Sequence, residues 1–149
     1  AEFGQLVAAL TAVENDGSTD ALVTILSGDG PFTVFAPTDD AFQSLYTLAG
    51  VADFNALVGA VGIGTIETVL KYHVLDSRVF SSDIPNALAG NSSVSLTSVA
   101  QATFTLNSDL TISDSDSALG LGTSDASIID TDIFATNGVI HIIDEVILP

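Results

Sequence analysis

The chain has 149 residues, 47% of them hydrophobic, which is enough for one ordinary domain with a sizeable core and too apolar for a disordered chain. Nineteen Asp and Glu are opposed only by Lys71 and Arg78, giving a formal net charge of −17 that repels phosphate backbones and anionic membranes, so nucleic acid is excluded as a partner. The absence of cysteine excludes a disulfide framework and any thiolate metal site.

The first predicted element is a helix carrying Leu6, Val7, Leu10 and Val13 at helical spacing, ended by the polar stretch Glu14 to Ser18. A short second helix follows, with Ser18, Thr19 or Asp20 as its cap and Leu22, Ile25 and Leu26 as its apolar stripe. Gly28-Asp29-Gly30-Pro31 reads as a turn. Phe32 to Ala36 reads as a buried strand closed by Pro37. Thr38 is placed to cap a third helix, with Asp39 and Asp40 at the positive end of its dipole and Phe42, Leu45 and Tyr46 on its inner face. Two further helices are expected around Asp53 to Val61 and Thr65 to His73.

From residue 74 the period changes from helical to alternating. Val94 with Leu96, Phe104 with Leu106, and Leu110 with Ile112 each put apolar groups on one face and Ser, Thr or Asn on the other. Asn107-Ser108-Asp109 reads as a turn. Asn137-Gly138 is a hairpin signal before the apolar run Val139 to Ile143. Helices first and strands second imply an α+β domain with helices packed on a mainly antiparallel sheet rather than a doubly wound parallel one. Phe35, Phe42, Leu70, Val139, Ile140 and Ile142 are the expected core.

Three segments carry a family resemblance. Gly30-Pro31-Phe32-Thr33-Val34-Phe35-Ala36-Pro37-Thr38-Asp39-Asp40-Ala41-Phe42 resembles the first signature of the fasciclin-type adhesion domain. Leu70-Lys71-Tyr72-His73-Val74 resembles its central tyrosine-histidine segment, and the stretch from Asp132-Ile133-Phe134 to Leu148-Pro149 resembles its closing signature. The resemblance implies a β-sandwich or wedge flanked by several helices, spanning residues 1–149 as a single domain and expected to be one module of a larger secreted or surface-anchored protein. It also implies adhesion to a cell-surface or matrix protein or glycan, without catalysis and without a cofactor. In animal members, the positions matching Asp132-Ile133 and Tyr72-His73 are connected with partner binding, which makes these four the candidate site. The resemblance leaves one competing class, binding of an apolar carotenoid-like ligand in a groove beside the sheet, because some fasciclin-type proteins carry one.

The residues themselves offer little for catalysis. His73 and His141, the only histidines, sit in apolar neighbourhoods, where a core histidine satisfied by hydrogen bonds is the ordinary case and an activated nucleophile the rare one. Asp114-Ser115-Asp116 invites a calcium reading but fails the helix-loop-helix pattern, with Leu119 at the glycine position and Asp125 in place of the closing Glu. A weak divalent-cation site among Asp109, Asp114 and Asp116 stays open beside the ordinary reading of solvated turn carboxylates. Gly59, Gly62 and Gly64 lack the spacing of a dinucleotide fingerprint and read as a helix break or close packing. No uninterrupted apolar run is long enough to span a bilayer, and the amino end lacks a basic stretch followed by an apolar signal segment, so membrane insertion is not expected.

Overall fold

Among the described residues, five helices form close to where the apolar stripes place them. In a computed structural model, which describes residues 3–17, 22–84, 90–114, 120 and 125–149, α1 spans Gly4–Asn15 and α2 Leu22–Leu26. The cap residues expected for α2 lie outside the described residues. Helix α3 (Asp39–Ala49) starts at Thr38, whose hydroxyl accepts the Ala41 N–H at 3.2 Å. Helix α4 (Phe54–Val61) is capped in the same way by Asp53, which accepts the Ala56 N–H at 2.9 Å. Gly62, at φ +87°, then breaks the path so that α5 (Ile63–Tyr72) starts in a new direction. No single helix among the described residues is long and apolar enough to cross a membrane.

The strands are β1 (Phe32–Pro37), β2 (Val74–Leu75), β3 (Ser93–Thr97), β4 (Thr103–Asn107), β5 (Thr111–Ser113), β6 (Ala126–Ala135) and β7 (Gly138–Ile143). They lie in the order β2-β1-β7-β6-β5-β4-β3, and every neighbouring pair is antiparallel except β1 and β7. The Val99 N–H donates to Val74 O at 2.8 Å and the Tyr72 hydroxyl to Thr103 O at 2.7 Å, so the two ends of this order meet. The α+β class and the antiparallel majority are as expected. Of the two shapes expected, sandwich or wedge, the strands make the second: one curled sheet, a near-closed barrel-like wedge. The parallel β1–β7 pair was not legible in the alternation pattern.

Curling divides the interior in two. Ala9, Val13, Phe42, Leu45, Tyr46, Leu57, Val69 and Leu70 pack the helices together and against one face of the sheet. Phe35, Tyr72, Leu75, Phe104, Leu106, Ile112, Ile143 and Ile147 fill the inside of the wedge, where Phe104 meets Phe35 and Tyr72 edge-on at 5.5 Å. Strand β1 serves both cores by period-two alternation, with Phe32 and Val34 toward the helices and Phe35 into the wedge. Ile140, expected in the core, is only half-buried, because its side of β7 opens onto a groove.

The β6–β7 hairpin turns on Thr136 and Asn137, and its glycine is needed for approach rather than for the turn. A methyl group on Gly138 would fall on the carbonyl oxygen of Phe32 in the neighbouring β1. Asn137 fixes the hairpin to the end of α2, donating from its side-chain amide to Leu26 O at 2.7 Å and Gly28 O at 2.8 Å.

Candidate binding face

Strand β6 begins as an ordinary alternating strand, with Ala126 and Ile128 buried. Two register irregularities then interrupt its pairing with β7, between Ile128 and Asp130 and again between Asp130 and Ile133. Inside the second lies Asp132, at φ +59°, a left-handed conformation that Asp tolerates better than most residues. Its N–H donates to His141 Nδ1 at 3.3 Å, and its carboxylate accepts the Ser81 N–H at 2.8 Å and the Ser81 hydroxyl. Those two Ser81 bonds hold the Asp132 carboxyl below the usual carboxylate range.

The segment that receives Asp132 is itself pinned from below. Buried Thr33 donates its hydroxyl to Ser77 O at 2.5 Å and accepts the Val79 N–H at 2.8 Å. Buried His141 donates from Nε2 to Val79 O at 2.6 Å, which leaves Nδ1 as the acceptor for Asp132 and fixes the neutral tautomer. The short 3-10 turn Ser81–Asp83 and Phe80 are thus held beside the bulge.

The consequence is a fixed strand with apolar side chains in solvent. Ile129 is 56% exposed, Ile133 40% and Phe134 73%. Phe134 leans on Phe80 at 5.6 Å between ring centroids, and the Arg78 guanidinium lies over the far ring at 5.9 Å. On the opposite face, Val34, Ile140 and Ile133, side by side on β1, β7 and β6, form the floor of a groove of about 330 Å³ also lined by Leu6 and Leu10 of α1 and Leu26 of α2. Every side chain lining it is apolar.

The other half of the candidate site lies elsewhere in the molecule. Tyr72 is 0% exposed and His73 is buried at the end of α5. His73 donates from Nδ1 to Val69 O at 2.7 Å and accepts the Ile147 N–H at Nε2 at 3.1 Å, tying the carboxyl-terminal segment to the helix. Burial lowers its pKa to about 4. The structure therefore does not join the four candidates into one surface: Tyr72 and His73 are interior, while Asp132 and Ile133 sit on β6.

The acidic turn residues have local partners. Asp109 accepts the Thr111 N–H at 3.1 Å and its hydroxyl at 2.6 Å, bonds that lower its pKa. Asp114 accepts the Leu148 N–H at 2.7 Å, and Asp116 lies outside the described residues. Among the described residues, no group of three metal-ligating side chains converges. Ser81, Asp132 and His141 have the residue types of a hydrolytic triad but the wrong connectivity: the carboxylate meets the serine, and both imidazole nitrogens are committed to backbone groups.

What sequence reading missed is the rest of β6 and the role of Phe134. Adjacent Ile128-Ile129 and Ile133-Phe134 break period two, so alternation does not announce a strand there. The detectable signal was a run of large apolar residues punctuated by Asp130 and Asp132, which fits an irregular strand with both faces apolar.

Fold and face together define a small α+β wedge domain whose candidate site is a strand surface with an adjoining groove. The chain belongs to the fasciclin domain family, whose model matches residues 2–149. It is 35% identical over 151 residues to Protein sll1483 of Synechocystis sp., a match covering 99% of this chain and 67% of that protein. Transforming growth factor-beta-induced protein ig-h3 of Sus scrofa is 35% identical over 129 residues, which are 87% of this chain but 16% of the relative. Stabilin-1 of Homo sapiens is 29% identical across 93% of this chain and 5% of the relative, so in these two the match is one part of a much longer protein. Among solved structures, the FAS1 domain pair of the insect cell adhesion molecule fasciclin I superposes with a TM-score of 0.67 at 21% identity, covering 96% of this chain and 45% of that one, which shows the shared fold.

Proposed function

We propose that this domain is a non-catalytic adhesion module, outside the cell or anchored on its surface, that binds a cell-surface or matrix protein or glycan through the outer half of β6. The observation that carries this reading is the exposure of Ile129, Ile133 and Phe134 on one strand whose backbone is fixed by Asp132, Ser81 and His141. Apolar side chains on a rigid element bind with little ordering cost, which is how a recognition surface differs from an incidental exposed residue. Membership of a family found in a cell adhesion molecule agrees with it. Tyr72 and His73 enter this reading as residues that brace the domain, and Asp132 as the residue that aims Ile133.

Capture of purified domain on native cell surface or matrix tests the proposal. Ile133→Ser with Phe134→Ser should lose most of the capture while the melting temperature stays nearly unchanged. Undiminished capture by that folded variant places the binding surface elsewhere.

A second reading has an observation of its own, the apolar groove between α1, α2 and the sheet. Its volume of about 330 Å³ lies at the lower end of ligand-sized clefts. A carotenoid-like guest there would give the purified domain visible absorbance, and Leu10→Trp, by filling the groove, would remove it.

A further inference from the structure

Strand β6 has two neighbours along only part of its length. Thr111 pairs with Ser127 and Ile112 with Ala126, and the Ile128 N–H reaches Leu110 O at 2.9 Å. Beyond Ile128 the pairing is with β7 alone, and among the described residues no strand lies along the outer side of residues 129–135. The Thr131 N–H is turned to the adjacent Asp130 carboxylate at 2.8 Å instead of to β7. This stretch is an irregular sheet edge that carries the carboxylates of Asp130 and Asp132 together with exposed apolar side chains on both faces.

We infer that residues 129–135 accept an extended, cationic segment of a partner protein as an added strand. The inference rests on the proposed binding face and specifies how it binds. Main-chain hydrogen bonds supply affinity in strand addition, and alternate side chains supply specificity. One face of the added strand continues the floor of the groove beside Ile133, which selects apolar side chains. The other face meets Phe134 and the carboxylates of Asp132, Asp130 and Asp83 around the same turn, against the single guanidinium of Arg78, which lies on Phe80 and not on Phe134. That face selects lysine or arginine, by charge and by contact of the cation with the exposed ring. The favoured segment thus alternates apolar and basic residues. A second copy of this chain is disfavoured by the like charge of −17 on each molecule.

The test uses the full chain, isotope-labelled, at about 0.15 M salt, where long-range attraction is screened. Three short synthetic peptides are compared: alternating Val and Lys, alternating Val and Glu, and the Val–Lys peptide N-methylated throughout. The expected result is that the Val–Lys peptide binds, shifts the amides of residues 129–135 and slows their exchange with solvent. The Val–Glu peptide should not bind, and N-methylation should weaken binding about tenfold or more, since the strand hydrogen bonds are lost while side chains and charge remain. Failure of the Val–Lys peptide to bind, equal binding by the Val–Glu or N-methylated peptide, or shifts mapping away from β6 would overturn strand addition. So would slowed exchange of residues 129–135 on self-association without peptide, which makes a second copy the occupant. If strand addition fails while Ile133→Ser with Phe134→Ser still abolishes capture on native matrix, the binding face stands and its partner binds through side chains or is a glycan. If that variant also captures normally, the face itself is wrong.

Discussion

Tyr72-His73 and Asp132-Ile133 look alike in sequence, each a polar and an apolar or aromatic residue side by side inside a family signature. In the folded domain they do opposite work. At the end of α5 every polar atom is turned inward: the Tyr72 hydroxyl closes the wedge on Thr103 O, and the His73 ring bridges Val69 and Ile147. On β6 the polar residue is also committed, to Ser81 and His141, but the commitment twists the strand and leaves Ile133 and Phe134 outside. Buried polar groups must be satisfied by the protein itself, so a residue that shares a signature with a binding motif is a scaffold whenever its partners are all internal. The difference teaches that exposure after folding, not the signature, separates the two roles.

The largest effect that sharpens this contrast is at Tyr72. Tyr72→Ala should cost about 3–5 kcal/mol through lost burial and the cavity left beside Phe104, read as a fall in the urea midpoint. A cost under about 1 kcal/mol would show that the wedge does not depend on this ring.

Acid should come next, through His73. Its folded pKa of about 4 lies below the ordinary histidine value of 6.5, so between those values the unfolded chain holds a proton that the folded chain rejects. The associated stability is complete above pH 6.5 and is lost as pH falls through about 4, a loss of roughly 3 kcal/mol. The lowered pKa of Asp132 adds a loss of the same sign further into acid. His73→Gln, which keeps a neutral donor and acceptor, should flatten the decline between pH 6.5 and 4. An unchanged slope would assign the acid sensitivity to the carboxylates.

Asp132→Ala should be intermediate, at about 1–2 kcal/mol, because Ser81 loses its acceptor and alanine is strained at φ +59°. Its bonds to Ser81 and His141 make this residue a poor probe of binding. A melting temperature identical to the parent would mean that the bulge is held without the carboxylate.

How much was legible follows from which forces act locally. Thr38 announces its helix because capping is satisfied within three residues, and the alternation of Phe104, Leu106 and Ile112 announces strands buried on one face. The fasciclin signatures made the family readable from residues 30 to 149. What was not readable depends on distant partners. The parallel β1–β7 pair rests on the close approach of Gly138 to Phe32, and the fate of Tyr72 on a carbonyl 31 residues away. Asn137-Gly138 looks like a hairpin turn for its φ values, yet the asparagine serves as a clamp on Leu26 and Gly28 and the glycine as a contact. The edge of β6 is visible only once β5 is seen to begin at Thr111, after the turn at Asn107 to Leu110.

A smaller effect concerns charge, which the two regions share. With 19 carboxylates and two basic residues, of which Lys71 pairs with Glu67 at 2.6 Å, screening should stabilise the folded domain. Raising ionic strength from about 0.01 to about 0.15 M shortens the screening length from roughly 30 to roughly 8 Å, and the melting temperature should climb by a few degrees. A flat or falling curve would mean that bonds such as those of Asp109 and Asp132 already compensate the repulsion.

The most direct measurement is a capture titration on native matrix run in parallel with thermal melts for two variants, Ile133→Ser with Phe134→Ser on the strand edge and Tyr72→Phe in the wedge. The second removes only the hydroxyl that reaches Thr103 O. The edge variant should lose capture at an unchanged melting temperature, and Tyr72→Phe should melt earlier while capturing as the parent does. Loss of capture by folded Tyr72→Phe, with the edge variant binding normally, would contradict that division of roles.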